Sequence, residues 1–255
     1  MNSPSDERLA VIRRRLLAAF EGEALWGTGD PARQLPPGVA RGSDRHLAFL
    51  TLTCTLSGGR DPRQLWPAAR QVFRDHPQLF DPLILAHTDP RDLLPQLNAH
   101  GLLRKPKSEA VLWQRIGKAI VMRGGGAVAP ILASEGHDAR NLLRMLQKNK
   151  ATFPVLSGPQ TAPRWLYCLA RAGQQPIEAA ARSPVPVSPY AARALESLSI
   201  KGKRLSAEMF EPLDALGRRG CVRRKPKTAR CPVAEQCPVA AFCRFGKPAS
   251  PTTPR

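Results

Sequence analysis

Prolines and glycines interrupt this chain throughout, and between them the apolar residues recur at helical spacing. With 26 prolines and 19 glycines in 255 residues, the regular segments have to be short. Period-two alternation of β-branched residues, which a half-buried strand needs, is nearly absent, so the segments read as helices and the class as all-α. Leu9, Ile12, Leu16 and Phe20 share one face after Ser5, with Asp6 and Glu7 at the positive end of the helix dipole and Arg13, Arg14 and Arg15 off the apolar side. The Gly/Pro-rich stretch 28–43 reads as a crossing linker with a boundary near 40, ahead of an apolar helix, HLAFLTLTCTL, at 46–56. Ser108 is placed to cap a helix through Met122 that the run Gly124 to Gly126 ends. Further helices are expected at 62–75, where Pro67 is a point of conflict, and at 89–100, 137–148, 161–172, 187–199 and 205–219.

The end of the chain is unlike the rest. The stretch RGCVRRKPKTARCPVAEQCPVAAFC, 219–243, holds Cys221, Cys231, Cys237 and Cys243, four of six cysteines, threaded with basic residues. The formal charge is +19, and a surface this basic attracts polyanions first, so nucleic acid is the expected partner. The N-terminus has acidic residues where a secretory leader needs a basic cap, and no apolar run is long enough to span a bilayer. A cytoplasmic, nucleoid-associated monomer without membrane contact is the expectation. In a reducing compartment clustered thiols point to a metal; iron–sulfur, zinc and no metal are the alternatives, although the paired knuckles of a four-cysteine zinc site are missing. Cys54 and Cys168 read as small buried hydrophobes, and Trp113, Trp165 and Tyr167 as core. His46, His76, His87, His100 and His137 show no paired metal spacing. With 5% aromatic residues, a stacking-driven single-strand binder is disfavoured. The tail 247–255, KPASPTTPR, is expected to be disordered.

Two segments in order, FPVLSGPQTAPRWLYCLARAG at 153–173 and SPVPVSPYAARALESLSI at 183–200, followed by the cysteine stretch, resemble the helix-hairpin-helix DNA glycosylase superfamily, the endonuclease III relatives. There a Leu-Pro-Gly-Val-Gly hairpin precedes a Val-Asp segment, an arginine and a C-x6-C-x2-C-x5-C iron–sulfur loop. Leu156-Ser157-Gly158 would be the hairpin, Ser188 would hold the aspartate position and Arg193 the arginine. Counted from Cys221, the loop pattern meets Thr228, Cys231 and Cys237, so Cys243 stands as the replacement fourth ligand. The resemblance implies a two-lobed all-α fold: residues 1–40, an N-terminal helix packing with the C-terminal lobe; 41–180, a helical barrel with the hairpin; and 181–246, the C-terminal lobe with its cysteine loop and a [4Fe–4S] cluster. Duplex DNA would lie between the lobes.

In that family an aspartate supports base excision, and a hairpin lysine adds strand cleavage through an imine. Here Ser188 stands for the aspartate, and Ala162, or Gln160 in a shifted register, for the lysine. The resemblance therefore implies a DNA-binding relative of base-excision-repair glycosylases that recognises damaged or distorted duplex DNA without the usual chemistry. The alternatives are an active N-glycosylase using a displaced carboxylate, with Glu196 and Asp214 as the downstream candidates, otherwise read as solvated helix-face charges, and a zinc-stabilised basic adaptor. The expected DNA contacts are Ser157, Gly158, Gln160 and Thr161 at the hairpin, and Arg193. Arg219, Arg223, Arg224, Lys225, Lys227 and Arg230 in the cysteine loop complete them, with Arg60. Arg60 follows Gly59, which takes the place of the family's gap-filling glutamine.

Overall fold

A repeated dipeptide does much of the local work. Asp-Pro occurs at 30–31, 61–62, 81–82 and 89–90, and each time the aspartate carboxylate accepts the N–H two residues on while the proline opens the helical turn. The proline has no N–H to leave unpaired and its φ is already helical, and the aspartate satisfies one of the orphan donors. The computed structural model describes residues 4–21, 29–221 and 237–243. Among them are eleven α-helices and one antiparallel pair of three-residue strands, so the chain is mostly helical, as its periodicity requires. No described helix is long and apolar enough to cross a membrane.

Two compact units divide the described residues. A middle unit covers Thr28–Ser183, and a terminal unit is built from both ends, Met1–Gly27 and Pro184–Arg255. The Gly/Pro-rich stretch after Thr28 does not behave as a linker: Val39 is in the core of the middle unit, and the buried Asp30 carboxylate accepts both terminal nitrogens of Arg171 at 2.7 and 2.8 Å.

In the middle unit α2 (Asp44–Thr55) is buried at every residue from His46 onward. A helix apolar all round belongs inside, and α3 (Pro62–Asp75), α6 (Pro106–Gly124) and α9 (Thr161–Arg171) pack on it. Between α3 and α6 come α4 (Pro82–His87) and α5 (Pro90–Asn98); α7 (Ala129–Ala133) and α8 (Ala139–Lys148) precede α9. Pro67 lies inside α3 without ending it. Helix α6 starts at Pro106 and not at a Ser108 cap, and it ends on Gly125 at φ 62°, a left-handed position that suits glycine. Phe49, Trp66, Phe73, Phe80 and Trp113 form a chain of ring contacts with centroids 5.1 to 6.0 Å apart. The Trp113 and Trp165 indoles donate to Leu79 O at 2.7 Å and Thr51 Oγ1 at 3.0 Å, as buried indoles must.

His46 gives this core a pH dependence. Its Nδ1 accepts the Gly42 N–H at 3.0 Å, the side chain is fully buried, and Nε2 has no partner among the described residues. Burial, reinforced by the Arg41 charge, lowers its pKa from 6.5 to about 4. The unfolded chain therefore takes up a proton below about pH 6.5 that the folded one refuses until about 4. Stability is full above that window and falls through it, by up to about 3 kcal/mol. Urea unfolding at pH 7 and 4.5 is expected to show the loss, and His46→Gln to reduce it; equal pH sensitivity in the variant would refute the assignment.

The terminal unit contains α1 (Pro4–Glu21), β1 (Pro184–Pro186), α10 (Pro189–Ser197), β2 (Arg204–Ser206) and α11 (Ala207–Arg219). Its core joins Ile12, Leu16 and Phe20 of α1 to Ala191, Ala194 and Leu195 of α10 and to Met209, Leu213 and Leu216 of α11. Leu9, expected on the same face, is 40% exposed. Arg13, Arg14 and Arg15 lie outside, Arg13 pairing with Glu208 at 2.6 Å.

Candidate nucleic-acid interface

The residues expected to form the hairpin lie in the connection 149–160 between α8 and α9, but the sharp turn there is not where the glycine is. Val155 takes φ 66°, a conformation that is strained for a β-branched residue. Gly158 has no such backbone. It is a glycine because a Cβ there would meet the Val155 carbonyl at 2.9 Å. Its N–H donates to that same carbonyl at 2.8 Å, and Ala162 N–H donates to Gly158 O at 2.9 Å. Ser157 is buried, its carbonyl accepting Gln147 Nε2 at 2.5 Å. The Gly158 amide thus points into the turn and not toward a ligand, and Pro159 and Pro163 contribute no donors. Gln160 and Thr161 are half-buried at the helix start. An anion site of backbone amides needs several free N–H groups, and this turn has used or lost most of them. Ala162 is fully buried.

Ser188, in the terminal unit, is the N-cap of α10: its Oγ accepts the Ala191 N–H at 3.0 Å and donates to Asp214 Oδ1. The other Asp214 oxygen accepts Arg218 Nε at 2.6 Å, and the Arg218 guanidinium lies 3.9 Å from the centroid of the Tyr190 ring. Asp214 is 3% exposed, which corrects its reading as a solvated charge. Both carboxylate oxygens hold a donor, and a neighbouring guanidinium balances the charge. That is the arrangement of a buried structural pair. Glu196 is exposed on α10. Arg193 is half-buried, its guanidinium 5.3 Å from the Tyr190 ring centroid.

Arg60 does not reach outward either. Its guanidinium donates to Gly101 O at 3.0 Å and to Leu102 O, and burial lowers its pKa from the ordinary value. It braces the turn after α2, where Gly59 is left-handed at φ 71°. Arg219 is half-buried at the end of α11. Arg223, Arg224, Lys225, Lys227, Thr228, Arg230 and Cys231 lie outside the described residues, as does the tail 247–255.

Cys221, Cys237 and Cys243 are half-buried, the first two packed against the apolar core of the terminal unit. Among the described residues no three His, Cys, Asp or Glu side chains converge as metal ligands. These three thiols do not by themselves form a cluster site.

The basic surface that sequence inspection missed is on α8. Arg140, Arg144 and Lys148 recur at i, i+4 and i+8, all exposed, opposite the buried Ala139, Leu142 and Leu146. Lys150 follows, also exposed. None of the four has an ion pair among the described residues. A helix rises about 1.5 Å per residue, so the row from Arg140 to Lys148 extends about 12 Å, the rise of roughly three to four base pairs. Nearby, a cavity of about 680 Å³ is lined by Asp138, Arg140, Tyr167, Arg171, Glu178 and Arg182. Its mixed charge does not favour a polyanion.

No protein-family model matches the chain, and no curated protein matches it.

Proposed function

We propose that this chain is a duplex-DNA-binding protein of the helix-hairpin-helix glycosylase kind that has lost base-excision chemistry and recognises damaged or distorted sites. The exposed row Arg140, Arg144 and Lys148, without an ion pair among the described residues, carries the binding half of this reading. Exposed cations on a protein of charge +19 gain most from a phosphate backbone, because each contact releases condensed counterions. The division into a middle helical unit and a unit made from both chain ends supports the architecture. The loss of chemistry rests on Ser188, occupied as a helix cap, and on Ala162, buried where a lysine would have to reach substrate.

Binding to duplexes, intact or carrying a mismatch or an abasic analogue, tests this across a salt series. The logarithm of affinity is expected to fall linearly with the logarithm of salt, distorted duplexes to bind more tightly, and Arg140→Gln with Lys150→Gln to make the slope shallower by about two. Salt-independent binding would refute the reading. Incubation with duplexes carrying damaged bases is expected to yield no abasic product; product would favour the active alternative. The [4Fe–4S] assignment to Cys221, Cys231, Cys237 and Cys243 remains part of the proposal, tested by iron and sulfide in anaerobically purified protein. Zinc without either would favour the adaptor.

A further inference from the structure

Arg123, in the last turn of α6, meets Arg144 and Lys148 of α8 around a concavity of about 260 Å³, which Asn141, Asn149 and Glu135 also line. Arg123 is held there: it donates to Asn149 Oδ1 at 2.7 Å. Asn149 is itself fixed at the end of α8, its Nδ2 donating to Met145 O at 2.8 Å and its N–H to the Met145 and Leu146 carbonyls. Glu135 faces the same space, yet no ion pair joins it to any of the three cations among the described residues.

Helix dipoles explain part of this. Arg123 and Lys148 each sit in the last turn of a helix, where a cation is favoured by about 0.3–1 kcal/mol. Arg144 is in the interior of α8, so the dipole does not account for it, nor for the amide that orients Arg123 toward the other two. Three like charges converging on a concave surface repel one another, and an oxyanion with several acceptor atoms removes that repulsion. Two guanidiniums and an ammonium offer forked and single donors suited to a phosphoryl group.

We propose that this concavity is a phosphate site that takes a phosphodiester of a nucleic-acid strand running along α8. The proposal rests on the DNA-binding reading and gives it an anchor point on two helices. The test uses the full chain, with Arg123→Gln/Arg144→Gln compared against Arg91→Gln/Lys201→Gln, an equal charge change at exposed positions elsewhere. Duplex binding is measured across a salt series, and inorganic phosphate is titrated while the arginine Nε resonances are followed. The expected result is a slope shallower by about two in the concavity variant and by less than one in the control, with the Arg123 and Arg144 resonances moving on phosphate addition. If wild type binds duplex and the two variants have the same slope, the concavity is not a phosphodiester site, although the DNA-binding reading stands. If wild type ignores DNA but its Arg123 and Arg144 resonances respond to phosphate, that reading falls and the site takes free phosphate, overturning the source proposed here. No response to either ligand removes both.

Discussion

Asp214→Ala is expected to cost about 3–5 kcal/mol of stability, because breaking a buried charge pair leaves its partner uncompensated. The carboxylate is 3% exposed, and its removal strips the acceptor from both the Ser188 hydroxyl and Arg218 Nε. Ser188→Ala should cost less, about 1 kcal/mol for the lost cap and a further 1–3 kcal/mol for the unsatisfied Asp214 oxygen. The double variant should fall short of the sum, since the Ser188 to Asp214 bond is counted in both single losses. Denaturant unfolding of the four proteins gives the cycle. Asp214→Ala within 1 kcal/mol of wild type would show that the pair does not hold α10 to α11, and would reopen Asp214 as a carboxylate free for chemistry.

Asp214 also shows where sequence inspection fell short. It lies on α11 four residues after Phe210 and three before Gly217, both buried, so its place on the inner face could be read from helical period alone. A carboxylate on such a face has to be paired, and Ser188, singled out already as the occupant of an aspartate position, was the partner. The α8 row was legible in the same way, as cations four residues apart, but it is less conspicuous than the dense basic run after Arg218.

The fold was more readable where segments were long. The apolar run after His46 gave α2 within two residues at its start, and 62–75 coincides with α3 despite Pro67. Helix α4, six residues long, and α7, five, complete fewer than two turns and offer no period to detect. Yet Asp81-Pro82 announces α4 with the same chemistry that starts α3 and α5. The strands Pro184–Pro186 and Arg204–Ser206 pair over three residues, too few for alternation, with prolines that cannot donate to a ladder. At the hairpin the glycine drew attention to Gly158, whereas the left-handed turn is taken by Val155, a residue whose type argues against it. Backbone strain of that kind is invisible in composition.

The terminal unit has its own sharp dependence on one glycine. Gly217 lies inside α11, where alanine would ordinarily stabilise the helix by about 1 kcal/mol. A Cβ at that position, however, would overlap the backbone carbonyl of Tyr190 in α10. Backbone cannot rotate away as a side-chain tip can, so the two helices would have to move apart, opening the core of Ala191, Ala194, Leu195, Leu213 and Leu216. Overpacking of this kind costs about 1–3 kcal/mol and more when backbone has to shift, which outweighs the gain in propensity. Gly217→Ala is therefore expected to lower stability by about 2 kcal/mol or more, and Gly217→Val by more still. Hydrogen exchange locates the effect: amides of α10 and α11 should lose protection while those of α2 and α6 keep it, because the two sets of helices have separate cores. A variant as stable as wild type, with α10 and α11 still protected, would mean that the helices do not approach as closely as Gly217 permits.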